Sequence, residues 1–141
     1  MEYDILSESK IVSMFPGVGI VGGSVAGAAT DTAGFRSTVA VIGVDNFGGT
    51  ANLFLEHSED NVTWSRIPAD ELQGRGVAFA APGHIALTAA GTGFNCRVGI
   101  LSKSRYLRCY QEELTATSSF GAMHFVLMDA VHRPTNHQTA P

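Results

Sequence analysis

An all-β fold is predicted for this chain: a single β-sandwich or jelly-roll domain with extended N- and C-terminal arms. Three observations predict it. Short β-branched and apolar runs recur, set apart by turn residues about every dozen positions. Helix-forming periodicity is scarce, and the 16 glycines interrupt most of the windows that might carry it. The chain has 141 residues and is 45% hydrophobic, which suits one domain with one core.

The elements follow in order. Residues 1–30 read as an extended, glycine-rich arm, polar and acidic over 1–10 and apolar but glycine-broken over 16–30. Arg36 to Val44 (RSTVAVIGV) reads as a strand bounded by Gly34 and by a turn at Asp45-Asn46-Phe47-Gly48-Gly49. Asn52 to His57 is apolar on both faces, as in a strand covered on each side. Glu59-Asp60-Asn61 makes a turn, and Val62 to Ile67 a short strand. Ala69 to Gln73 fits one helical turn. Gly74 to Gly93 reads as loops around Pro82-Gly83, with short strands at Val77–Ala80 and His84–Leu87. Arg97 to Leu101 and Arg105 to Gln111 read as neighbouring strands joined by Ser102-Lys103-Ser104. Ala122 to Val131 closes the domain, with Ala122, His124, Val126, Met128 and Ala130 on its inward face. The sandwich thus spans 31–131, and residues 132–141 (HRPTNHQTAP) form a tail. Leu55, Leu107, Val126 and Trp64 are the expected core, with Trp64 sealing the sandwich.

Charge narrows the function. A net charge of -4, with no Lys/Arg cluster, argues against nucleic acid and against anionic membranes. No apolar run approaches the roughly 18 residues of a membrane span. Met1-Glu2-Tyr3-Asp4 is acidic where a secretory leader is basic, so no signal peptide is expected. Only 16% of residues are charged, which favours surface hidden against copies of the chain or a partner. The two cysteines, Cys96 and Cys109, are expected as buried free thiols in a reducing compartment, with a bridge as the alternative.

The chemical motifs are weak. Gly17-Val18-Gly19-Ile20-Val21-Gly22 has dinucleotide-loop spacing. The helix it requires would contain Gly22, Gly23 and Gly27, so a flexible connector or hairpin is expected instead. His57, His84, His124, His132 and His137 are scattered without metal-ligand spacing, and His57-Ser58-Glu59-Asp60 fits calcium only loosely. Ser58, Ser104 and Cys109 lack a nucleophile context, and Glu56, Asp60, Asp70 and Glu71 could act as carboxylates only if space pairs them. No catalytic residue, metal or cofactor is expected. Arg105 and Arg108, at an odd offset, should point to opposite faces of their strand, so one of them must be paired, interfacial or at the sheet margin.

Two fragments carry a resemblance. Ser58, Asp60 and Trp64, followed by Arg105-Tyr106-Leu107-Arg108, resemble the corresponding strands of discoidin-like, galactose-binding jelly rolls. That similarity implies a ligand cleft containing Trp64, Arg105 and Arg108. A broader pattern resembles small accessory proteins of tailed bacteriophage virions. It comprises Asp31 to Phe35 leading into Ser37 to Gly43, Leu55 to Trp64, Val98 to Arg108, Met123 to Val131, and a Pro-containing tail from Arg133 to Pro141. Its most specific stretch is 98–108, with Gly99, Arg105, Tyr106 and Arg108 as the motif residues. Ile100 and Ser102 depart from it, where that family favours an aromatic and a glycine. This resemblance implies a capsid decoration (cement) protein on the virion surface, made in the host cytoplasm. Its partners would be the major capsid protein and itself, as a homo-oligomer, expected to be a trimer. A head–tail connector or tail component is the alternative within the virion. Anchoring would fall to residues 1–35 or to the tail.

Overall fold

The computed structural model describes residues 9–15, 24–44, 46–48, 51–75, 77, 79, 81–87, 94–113, 117–119 and 123–130. Two antiparallel sheets pack face to face as one β-sandwich. The first sheet runs β1 (Lys10–Ser13), β13 (Met123–Ala130), β4 (Phe35–Val44), β10 (Phe94–Ile100) and β8 (Leu72–Arg75). The second runs β2 (Val25–Ala26), β11 (Tyr106–Glu113), β6 (Ala51–Ser58) and β7 (Ser65–Arg66). Two more strands join it, β3 (Thr30–Asp31) on β11 and β9 (His84–Leu87) on β6. A 3-10 turn at Ala69–Glu71 precedes β8. Among the described residues no helix is long and apolar enough to cross a membrane.

Alternation along each strand builds the core. Ala40 and Ile42 of β4, Cys96 and Val98 of β10, and Phe125 and Leu127 of β13 face inward from the first sheet. Leu53 and Leu55 of β6, Ile85 of β9, and Leu107 and Cys109 of β11 meet them from the second. Leu55 and Leu107 are thus core residues, as expected.

The sandwich claims part of the expected arm. β1 pairs with β13 over Lys10↔Leu127 to Ser13↔His124, and Met14 and Phe15 enter the core. Gly27 donates its N–H to the Cys109 carbonyl at 2.7 Å, and Ala28 donates to the Met14 carbonyl at 3.0 Å. Residues 27–28 therefore tie the end of β1 to the second sheet. A side chain at Gly27 would collide with those same two carbonyls. Met14, Phe15 and Val25 are the apolar side chains that draw this segment inward. The dinucleotide-like glycine run, residues 1–8 and the tail from 131 lie outside the described residues.

Four other expectations are corrected. β13 faces the opposite way: Met123, Phe125 and Leu127 are buried, whereas Val126 and His124 are half-buried on the outer face and Met128 is exposed. Both parities carry apolar residues, but Met123, Phe125 and Leu127 form the larger and more apolar set, and that set faces the core. β10 and β11 are not sheet neighbours, because residues 101–104 carry the chain from the first sheet to the second. Asn46–Gly48, expected as turn, forms a short strand β5 that pairs with β12 (Thr117–Ser119). The strand expected at 62–67 contracts to Ser65–Arg66, because Asp60 organises residues 61–63 into a turn. In that turn Asn61 takes φ 61°, a left-handed conformation that asparagine tolerates.

Candidate functional site: the outer face of the second sheet

The two sequence fragments singled out above become direct neighbours. β11 and β6 pair with Tyr106↔Ser58, Arg108↔Glu56, Tyr110↔Phe54 and Glu112↔Asn52. With Leu107 and Cys109 turned inward, period-2 geometry sends Tyr106, Arg108 and Tyr110 outward beside Phe54 and Glu56. β7 and β9 extend these rows, with Arg66 opposite Glu56 and His84 opposite Phe54.

Each cation on this face has a local partner. Arg108 Nε donates to Glu56 Oε2 at 2.6 Å, with side-chain exposures of 22% and 13%. The Arg108 guanidinium also lies 4.3 Å from the Trp64 ring centroid. Arg66 sits 3.6 Å above the Phe54 ring. His84 stacks on Phe54 at 4.9 Å and places Nε2 2.9 Å from Asn52 Oδ1. Tyr110 completes the aromatic patch 6.4 Å from Phe54. Phe54 is therefore buried although it points away from the core, which explains the doubly apolar β6 sequence.

Trp64 does not seal the sandwich. It is half-buried and folds back over the outer face, because the 58–63 turn redirects the chain toward Arg108. Within that turn the Asp60 carboxylate accepts from the N–H groups of Thr63 (2.7 Å) and Val62 (2.9 Å) and from the Ser58 hydroxyl (2.9 Å). Those bonds hold its pKa well below the ordinary carboxylate value of 3.8. The loosely calcium-like stretch is thus a self-satisfied turn, and among the described residues no group of three potential metal ligands converges.

Arg105 lies one residue before β11 and is exposed. Its Nε and Nη2 make a fork to Asp31 at 3.1 and 3.0 Å. That hydrogen bonding lowers the Asp31 pKa and raises the Arg105 pKa. Both motif arginines are therefore paired, one at the sheet margin and one on the outer face. Gly99 is remote from them, on β10 between Val39 and Gln73.

Potential nucleophiles gather elsewhere. His57 Nδ1 is 2.6 Å from Ser102 Oγ, 3.3 Å from Ser104 Oγ and 3.9 Å from Glu71 Oε2. A serine–histidine–acid relay needs serine and acid on different ring nitrogens. Here both address the same one, so the arrangement fastens the 101–104 crossover rather than activating a hydroxyl. Cys96 and Cys109 are buried free thiols. Burial pushes Cys96 up to about 11 and Cys109 higher still, so neither is a thiolate near neutral pH.

Comparison with protein-family models, curated proteins and solved structures returns no match.

Sequence reasoning singled out Trp64, Arg105, Tyr106 and Arg108 but missed Phe54, Arg66, His84 and Tyr110. The signal was present for two of them. Alternate positions of 54–58 and 106–112 carry the aromatic and charged side chains, and reading those runs in period 2 finds Phe54 and Tyr110.

Proposed function

We propose that this chain is a non-enzymatic bacteriophage structural protein. It decorates the capsid by binding the outer surface of the major capsid protein lattice, and it stabilises the head. The observation that carries this reading is the outer face of the second sheet. Tryptophan, tyrosine and arginine are the residue types that dominate binding energy at protein interfaces. Here the arginines and tyrosines sit on strands and Trp64 just before β7, with Arg108, Arg66 and Trp64 held by Glu56, Phe54 and one another. Little ordering entropy remains to be lost on docking. Repetition on a lattice multiplies the strength of each contact. A homo-oligomer, expected to be a trimer, supplies that repetition within each decoration unit.

Residues 10–13, 25–26 and 30–31 pair within the sandwich and so do not form a free anchoring arm. The discoidin-like reading is disfavoured by Arg108, which occupies one face of the Trp64 ring that a sugar would need. The deciding experiment is antibody labelling of whole virions viewed by electron microscopy. Even label over the head is expected. Label at one vertex or along the tail replaces decoration with a connector or tail role, and absence of label removes the virion assignment.

A further inference from the structure

Arg97 on β10 and Arg75 on β8 are register partners, and both are exposed on the outer face of the first sheet. Like charges directly opposite one another on neighbouring strands destabilise a sheet. Among the described residues neither arginine has a carboxylate partner, in contrast to Arg105 and Arg108. His124 continues this row through Val41. Among the described residues the Arg75–Arg97 pair is thus left without a counter-charge, in a chain whose net charge is -4.

The surface beside the pair is a shallow, open depression. Gly99 contributes no side chain between Val39 and Gln73, and a groove of about 610 Å³ opens there, flanked by Arg75 and Arg97. Next to it an apolar row crosses the sheet from Gly99 through Val39 and Val126 to Ile11, which is 69% exposed. A guanidinium presents a planar fork that matches a carboxylate. Two such forks above an open floor match one acidic side chain, with apolar neighbours settling on the adjoining row. A nucleic acid would need a longer basic track at phosphate spacing, which two arginines do not provide.

We propose that this groove docks an acidic segment of a partner protein, with a glutamate or aspartate side chain seated between Arg75 and Arg97. The proposal goes beyond the capsid reading and stands whether or not that partner is a capsid lattice.

The test uses the full chain and a fluorescent peptide of alternating glutamate and valine, with binding followed by anisotropy. A peptide with glutamine in place of glutamate, and a single-stranded DNA, serve as comparisons. The glutamate peptide is expected to bind at least about tenfold more tightly than the glutamine peptide, and to weaken as salt rises. Arg75→Gln and Arg97→Gln should each weaken it by a similar factor while leaving the melting midpoint unchanged or raised, because each removes a like-charge repulsion. Gly99→Ala should keep the fold and weaken binding, because the added Cβ meets Gln73 in ordinary contact at 3.6 Å. No binding of the glutamate peptide, equal binding of the glutamine peptide, tighter binding of the DNA, or full binding by both arginine variants would overturn the proposal. So would a lowered melting midpoint in both arginine variants, which would assign the pair to folding.

Discussion

Arg105 and Arg108 belong to one short motif, yet their replacement by alanine should have very different consequences. Arg108 is bonded to a Glu56 carboxylate that is only 13% exposed, and it lies over Trp64. Removing it deletes a cation–π contact of about 1 kcal/mol and strands a largely desolvated charge. A fully buried orphaned charge costs about 3–5 kcal/mol. Glu56 keeps some solvent, so the sum for Arg108→Ala should be about 2–3 kcal/mol. For a domain of this size that is a drop in melting temperature of about 6–10 °C. Arg105 and Asp31 have side-chain exposures of 54% and 45%, and water screens their fork. Arg105→Ala should leave the unfolding curve nearly unmoved. The assay is urea unfolding of both variants, plus a double-mutant cycle of Arg108→Ala with Glu56→Ala. Coupling above about 1 kcal/mol is expected for that cycle. Equal losses in the two single variants, or coupling near zero, would refute the assignment of Glu56 and Arg108 as an interdependent pair.

Four further outcomes are expected. Truncation of residues 1–15 removes β1 together with Met14 and Phe15, so it should unfold the domain, and Met14→Ala alone should cost about 2–5 kcal/mol in urea unfolding. Gly83→Ala should be among the most damaging single substitutions by thermal melt, because Gly83 holds φ 61° and an added Cβ would strike the Leu55 carbonyl. Asp60 has a depressed folded-state pKa, so the unfolded chain binds more protons in the window below about 5. Its contribution is complete above its unfolded pKa and lost as pH falls through the lower folded one; Asp60→Asn should flatten the acid limb of a stability-against-pH curve. Cys96 and Cys109 should resist a thiol reagent at neutral pH in the folded protein and react once urea unfolds it.

Strand positions were legible wherever a β-branched run met a clear boundary, as in β4, β6 and β9. Strand faces were legible only where alternation was clean. In β13 Met123, Phe125 and Leu127 form the more apolar set, but Val126, Met128 and the flanking Ala122 and Ala130 make the face with His124 read as apolar enough to point inward. The relation of β10 to β11 was not legible either. A short connection between strands reads as a hairpin. Here residues 101–104 step between sheets, held by Leu101 N–H on the Glu71 carbonyl and by Ser102 against His57. These are contacts with residues about 30 and 45 positions away, which local patterning does not report. The candidate face was half legible for the same reason. Trp64, Tyr106 and Arg108 stood out as residue types, but only the β6–β11 register shows that Glu56 neutralises Arg108.

The two outer faces differ in how their cations are treated. On the second sheet Arg108 has Glu56 and Trp64, and Arg66 has Phe54. A partner landing there meets one neutralised cation, Arg108, and one held only by a ring, Arg66, and gains mainly from burying aromatic area. Its affinity should change less with salt than on the first sheet, and fall mainly through faster dissociation when an aromatic is removed. On the first sheet Arg75 and Arg97 face each other without a described counter-charge. A partner landing there supplies the missing carboxylate, so its affinity should fall with ionic strength. One chain can thus hold two kinds of contact on opposite faces of a single core, and the salt dependence of any measured complex identifies which face carries it.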